Sequence, residues 1–252
     1  MKIEISNIEQ FKNFFDVIYD SSSEIIELKF YIDRMTCAVL DRGRARFFYV
    51  EYEMKFFDQY DVEEVTSICV FVDDIYKLLK LANKSDVLTL EFTEDLMSAE
   101  LESNGNKRIF EFALPYEFVN SPTLPNVDLP VKFECDTKDL KQSVKDIKLV
   151  GTDIFQFVVS QNTVTLMSDS SASTSEFSST KYAQVIETDV DINDVLSVRF
   201  NLDYVNEMLK FEKIDKVVDI SLASNALIYR FEDEMMGVKV QGMIAPRMEV
   251  EE

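Results

Sequence analysis

The chain has 252 residues, a formal net charge of −21 and no histidine. The missing histidine removes the commonest general base and the commonest metal ligand, and so acidic a chain meets a phosphate polymer only if its charge is unevenly spread. Hydrophobic residues make up 46 %, enough for one large or two ordinary domains, while five glycines leave little for Gly-rich phosphate loops.

Cys37, Cys69 and Cys135 lie far apart and follow neither disulfide nor zinc spacing. They read as reduced, buried thiols of a cytosolic protein, and no metal or cofactor is expected. Met1 runs straight into the alternation Lys2-Ile3-Glu4-Ile5 with no leader-peptide pattern. No apolar run approaches the ~18 residues of a membrane span, so no membrane partner is expected.

Ile8–Tyr19 is predicted as an amphipathic helix with Phe11, Phe14, Phe15 and Ile18 inward, Lys12 outward and Asn7 as N-cap. Strands are expected at Ile25–Ile32, Cys37–Leu40 and Ala45–Tyr52, with Asp41-Arg42-Gly43-Arg44 as a turn between the last two. Asp73–Ala82 is a second helix, with Asp73 at its start, Ile75, Leu78 and Leu79 inward, and Lys77, Lys80 and Lys84 outward. Strands follow at Val87–Phe92, Met97–Leu101 and Lys107–Leu114.

Four of the five prolines fall between Pro115 and Pro130. Proline blocks helix and removes backbone donors, so this stretch is an extended connector between domains 1–114 and 131–252.

Beyond it, a strand at Val131–Cys135 leads into Thr137–Lys148, a helix whose Leu140, Val144 and Ile147 form one stripe. Lys138, Lys141, Lys145 and Lys148 form another, nearly opposite at 100° per residue. Strands are expected at Ile154–Ser160, Thr163–Met167, Ser175–Tyr182 and Val195–Phe200. A helix at Asp203–Phe211 precedes strands at Val217–Leu222, Leu227–Phe231 and Val238–Ile244.

The second half repeats the first. Val70, Asp73, Ile75, Leu78, Leu79 and Lys80 match Phe200, Asp203, Val205, Met208, Leu209 and Lys210 at an offset of 130. The first helices match at 129, pairing Phe11, Lys12, Phe15 and Ile18 with Leu140, Lys141, Val144 and Ile147. Many strands interrupted by four helices predict an α+β fold with antiparallel sheets and helices on one face.

Lys12, Lys77, Lys80, Lys84, Lys138, Lys141, Lys145, Lys148, Lys210 and Lys213 all fall in or at the ends of these helices. One lysine stripe is ordinarily a solvated face. Four repeat-related stripes in so acidic a chain predict contact with a phosphate backbone without base readout.

Four stretches resemble the archaeal and eukaryotic sliding clamp family, PCNA. These are Leu40-Asp41-Arg42, Phe57-Asp58-Gln59-Tyr60, Asp73–Leu90, and the C-terminal Ile244–Glu252 (IAPRMEVEE), whose tail is archaeal-like. Arg42, Arg44 and Arg46 make the first loop unusually basic, Ser168–Ser179 lacks the usual Gly-containing turn, and the first helix carries one lysine where many members carry more.

The resemblance implies a ring of three identical chains, acidic sheets outside and the four lysine helices lining a hole for duplex DNA. It places subunit contacts on two edge strands, through Lys107, Arg108, Ile109, Phe110 and Phe112 on one and Ser175, Glu176, Phe177 and Ser179 on the other. Lys107 and Arg108 would then meet Glu176, Asp139 or Asp146 across the junction. It places a peptide pocket under the connector, formed by Leu40, Arg44, Ala45, Phe47, Leu124, Val127, Leu129, Ala245, Pro246 and Arg247.

Its implied partners are DNA polymerase, a clamp loader, flap endonuclease and DNA ligase, in a cytoplasmic, nucleoid-associated setting. No catalysis is expected, because phosphate-loop, nucleophile and cysteine-cluster motifs are absent and Ser168–Ser179 has no G-x-S-x-G context. The competing reading is an acidic protein-binding adaptor, or a subunit of a heteromeric clamp, without direct DNA contact.

Overall fold

The computed structural model describes residues 1–19, 24–124, 126–127, 129–160, 163–168, 177–179, 183–188 and 195–247, with 177–179 and 183–188 described as backbone alone. The first half runs β1 (Lys2–Ile5), α1 (Ile8–Ile18), β2 (Ile25–Phe30), β3 (Arg34–Leu40), β4 (Arg46–Glu53), β5 (Gln59–Asp61), β6 (Thr66–Phe71), α2 (Val72–Leu81), β7 (Val87–Phe92), β8 (Leu96–Ser103) and β9 (Asn106–Ala113). The second runs β10 (Val131–Asp136), α3 (Thr137–Leu149), β11 (Ile154–Ser160), β12 (Thr163–Ser168), β13 (Phe177–Ser179), β14 (Ala183–Thr188), β15 (Leu196–Asn201), α4 (Leu202–Met208), β16 (Val217–Ala223), β17 (Ala226–Asp233) and β18 (Val238–Ile244).

The chain forms two compact units. Met1–Thr123 with Glu232–Val240 makes one, and Leu124–Phe231 with Gln241–Glu252 the other. In the first, β5-β1-β7-β8-β9 form one antiparallel sheet and β4-β3-β2-β6 another series. The second repeats this with β14-β10-β16-β17 and β13-β12-β11-β15.

The repeat holds at the level of register. Ile3 faces Leu90 as Phe133 faces Ile220, and Leu90 faces Ala99 as Ile220 faces Tyr229, all at 130. Leu28 faces Cys37 as Phe157 faces Leu166, at 129. A shift of one residue would turn every buried side chain outward, so conserving register conserves the core. This is the α+β architecture that the alternation predicted.

Each helix buries one stripe. Phe11, Phe14, Phe15 and Ile18 of α1 and Leu140, Val144 and Ile147 of α3 are all 0–1 % exposed. Among the described residues, no helix is long and apolar enough to cross a membrane. The three cysteines are free and buried, and burial pushes the Cys135 thiol up to about 12, so it stays protonated.

The helix starts differ from expectation in detail. Asn7 precedes α1 without a side-chain capping bond, whereas Asp136 accepts from the Lys138 N–H at 2.7 Å and Asn201 from the Asp203 N–H at 2.8 Å. Asp73 sits in the first turn of α2 and serves Lys77 and Tyr19 instead. After α4 the chain tightens into a 3-10 turn over Leu209–Lys213.

One backbone approach sets a sharp limit. A Cβ on Gly242 would lie 2.1 Å from Cζ of Tyr229, which is 1 % exposed. Only hydrogen fits there, because a packed ring has nowhere to move. Gly242→Ala is expected to cost about 1–3 kcal/mol, read as a lower denaturant midpoint at unchanged slope.

Candidate functional site

Ridge packing of helices brings side chains three and four residues apart onto one face, and here that face carries the lysines. In the first unit α1 and α2 lie side by side. Tyr19 stacks on Tyr76 with ring centroids 3.6 Å apart, and the Tyr19 hydroxyl donates to Asp73 at 3.1 Å. Lys80 reaches Asp16 of α1 at 3.6 Å and Lys84 reaches Glu9 at 2.8 Å, while Lys77 pairs with Asp73 one turn away.

The second unit repeats the arrangement. Lys141 of α3 meets Glu212 at 2.6 Å and Lys148 meets Asp203 of α4 at 3.5 Å. Lys210 and Lys213, in the 3-10 turn, are also engaged. Lys12, Lys138 and Lys145 have no ion-pair partner among the described residues. The helical face is therefore a lattice of lysines and carboxylates, not the uniformly basic surface that lysine spacing alone suggests.

Lys77 and Lys80 are cationic at neutral pH. The Asp73 hydrogen bond holds Lys77 above the ordinary lysine value, and the Tyr76 hydroxyl, followed by Asp16, does the same for Lys80. Pairs between side chains this exposed contribute little and are screened by salt, so each lysine exchanges one anion for another at small cost.

β9 ends its sheet, and Ile109 on it is 64 % exposed with Phe110 and Phe112 half-buried. β13 likewise ends its own sheet. Ser175 and Glu176 lie outside the described residues, as do the side chains of Phe177 and Ser179.

The cationic residues of β9 have partners within the chain. Lys107 pairs within its own sheet with Glu100 at 2.5 Å and Glu102 at 3.3 Å. Arg108 pairs with Asp86 at 2.8 Å. Asp86 is 1 % exposed, and a buried carboxylate keeps its cation because losing it leaves an uncompensated charge.

Leu40 and Arg44 line a cavity of about 450 Å³ together with Ile25, Ile26, Val119 and Pro122. Phe47 does not; it is 2 % exposed and packs in the core. The loop between β3 and β4 is built on buried Asp41, which accepts the N–H groups of Ala45 at 2.7 Å and Arg46 at 2.9 Å and pairs with the Arg46 guanidinium at 3.2 Å. Ala45 and Arg46 thus hold the loop, leaving Arg44, at φ +54°, on the cavity rim.

The remaining pocket residues belong to the second unit. Leu124, Leu129, Ala245 and Pro246 are half-buried. Val127 lines a separate cavity of about 420 Å³ with Pro130 and Leu196. Arg247 donates its N–H to the Arg199 carbonyl at 2.8 Å and its guanidinium to Asp153 at 2.8 Å.

A contact without any motif anchors the connector. The Ser121 N–H donates to Glu27 of β2 at 2.9 Å. Burial pushes the Glu27 carboxyl up, but hydrogen bonds from Ser121 and Ser67 outweigh it and leave it below the ordinary carboxylate value. A depressed folded-state value means the tether is present above the ~4.3 of a free glutamate and is lost as pH falls through the folded value. Glu27→Gln should speed amide exchange at Ser121 at pH 7, with the excess over wild type vanishing as pH falls through the lowered Glu27 value.

No family model matches the chain. A curated DNA polymerase sliding clamp from Methanobrevibacter smithii is 26 % identical over 256 residues, covering 100 % of this chain and 99 % of that protein. DNA polymerase sliding clamp 1 from Pyrobaculum aerophilum is 25 % identical, covering 93 % and 95 %. Among solved structures, the PCNA2–PCNA3 complex from Sulfolobus tokodaii superposes with a TM-score of 0.80 at 22 % identity, covering 99 % of this chain and 100 % of that one. PCNA from Thermococcus kodakaraensis gives 0.83 at 18 %, covering 98 % and 99 %. Over its whole length the chain is similar to archaeal DNA polymerase sliding clamps, and its fold is that of PCNA.

Proposed function

We propose that this chain is a sliding clamp, a non-enzymatic processivity factor that encircles duplex DNA as a ring of three copies. The observation that carries the reading is the repeated helix pair. In each unit two helices bury their apolar stripes and present lysines interleaved with carboxylates. Such a face attracts phosphates without gripping any one of them, which suits motion along the duplex. Lys12, Lys138 and Lys145 would make the first contacts.

Three chains would bring six repeat units around the hole. Closure would pair the end strand β9 of one copy with β13 of the next, extending the ladder and covering Ile109. The cavity beside Leu40 and Arg44 would take the short peptide segments of DNA polymerase, clamp loader, flap endonuclease and ligase, with an apolar anchor against Ile25 and Ile26. These partners and the DNA place the work inside the cell.

Light scattering on the purified chain is expected to give three chain masses, persisting on dilution. Ile109→Asp should give the monomer mass while thermal unfolding of the isolated chain stays near wild type, since the side chain is already exposed. A wild-type monomer at every concentration, or a variant that remains trimeric, would contradict this closure.

A further inference from the structure

β6 is the end strand of its sheet, and its outer edge opens into a cleft. The Val72 N–H bonds to the Glu24 carbonyl at 3.0 Å, which fixes the alternation along the ladder. Ile68 and Val70 therefore exchange bonds with β2, while the N–H and C=O groups of Ser67 and Cys69 point away from it. No backbone partner for them occurs among the described residues. The cleft they face is about 1140 Å³, and Ile68, Phe92, Leu114 and Phe118 give it apolar walls. Phe118 is 74 % exposed, an aromatic ring without a packing role of its own.

The repeat shows what such an edge accepts. Cys69 corresponds to Arg199 on β15 at the offset of 130, and the Leu202 N–H to Asp153 carbonyl bond fixes the same alternation there. In the second unit the outward Arg199 carbonyl is taken by the Arg247 N–H of an extended segment. The matching cavity, lined by Leu196, Ala223 and Pro130, is only about 420 Å³. The same edge is thus occupied in one unit and open in the other.

Charge selects the occupant. Asp61, Glu63, Glu64, Glu91 and Glu94 line the open cleft, and none makes an ion pair among the described residues. Lys2 and the Met1 ammonium, which donates to the Phe92 carbonyl at 3.3 Å, are the cations of the lining, so acid still outnumbers base there five to two. A second copy of so acidic a chain would be repelled. We infer that the outer edge of β6 is a strand-addition site for an extended cationic peptide, which pairs with Ser67 and Cys69, sets its lysines or arginines against the five carboxylates and rests an apolar side chain on Phe118. The site lies wholly within the first unit and is independent of ring closure and of the cavity beside Leu40.

The test uses the full chain and a labelled nonapeptide of alternating lysine and valine, with a glutamate–valine peptide as control. The lysine peptide should slow amide exchange at Ser67 and Cys69, and the glutamate peptide should not. Combined Glu63→Gln, Glu64→Gln and Glu94→Gln should weaken binding by about tenfold, because three of five facing charges are gone. Combined Glu111→Gln, Glu134→Gln and Glu234→Gln removes as much charge elsewhere and should change it less than about twofold. Binding without protection at Ser67 and Cys69, equal loss in the two triple variants, or no binding at all would overturn the proposal.

Discussion

A helix that must bury one stripe has no freedom in where the opposite stripe points. Leu140, Val144 and Ile147 are held in the core of the second unit, and that alone turns Lys138, Lys141, Lys145 and Lys148 outward. The same holds for α1 and α2 over the first core. Hydrophobic burial, the strongest term in folding, thereby sets an electrostatic surface that is individually worth little. The sheets supply the rigid floor, with register conserved between repeats to the residue.

The interleaving of carboxylates with lysines settles how strongly that surface can act. A purely basic face would bind phosphates tightly and with a steep salt dependence. Here Asp16, Glu9, Glu212 and Asp203 already stand beside Lys80, Lys84, Lys141 and Lys148. Phosphate contact then replaces one weak pair by another, and the net gain is small. For a ring retained by its topology, small gains spread over many positions keep the duplex centred without holding it still. The net charge of −21 is compatible with such a role because the excess acid lies outside these helices.

Much of this was legible before the structure. Helical spacing placed all four helices, and the offset between Ile75-Leu78-Leu79 and Val205-Met208-Leu209 exposed the repeat. Other features left no local signal. β5 is three residues long, and β6 begins Thr66-Ser67 without alternation, so neither stood out as a strand. Which carboxylate meets which lysine depends on the register of neighbouring helices, which periodicity within one helix cannot give. Phe47 carried the apolar character of a pocket residue but is itself buried, although it shares a face of β4 with the more exposed Tyr49, Glu51 and Glu53. Arg46 counted as loop charge, yet it is spent on Asp41 with its side chain 12 % exposed.

The central claim is topological, and DNA topology tests it most directly. The chain is loaded by an ATP-driven clamp loader onto nicked circular duplex, then passed through gel filtration at about 0.5 M salt, where exposed charge pairs are screened within a few ångströms. The account predicts that the protein travels with the circle and is released once a single restriction cut linearises it. Loss from the intact circle in salt, or equal retention on circle and line, would mean that the lysine helices bind DNA from one side or not at all.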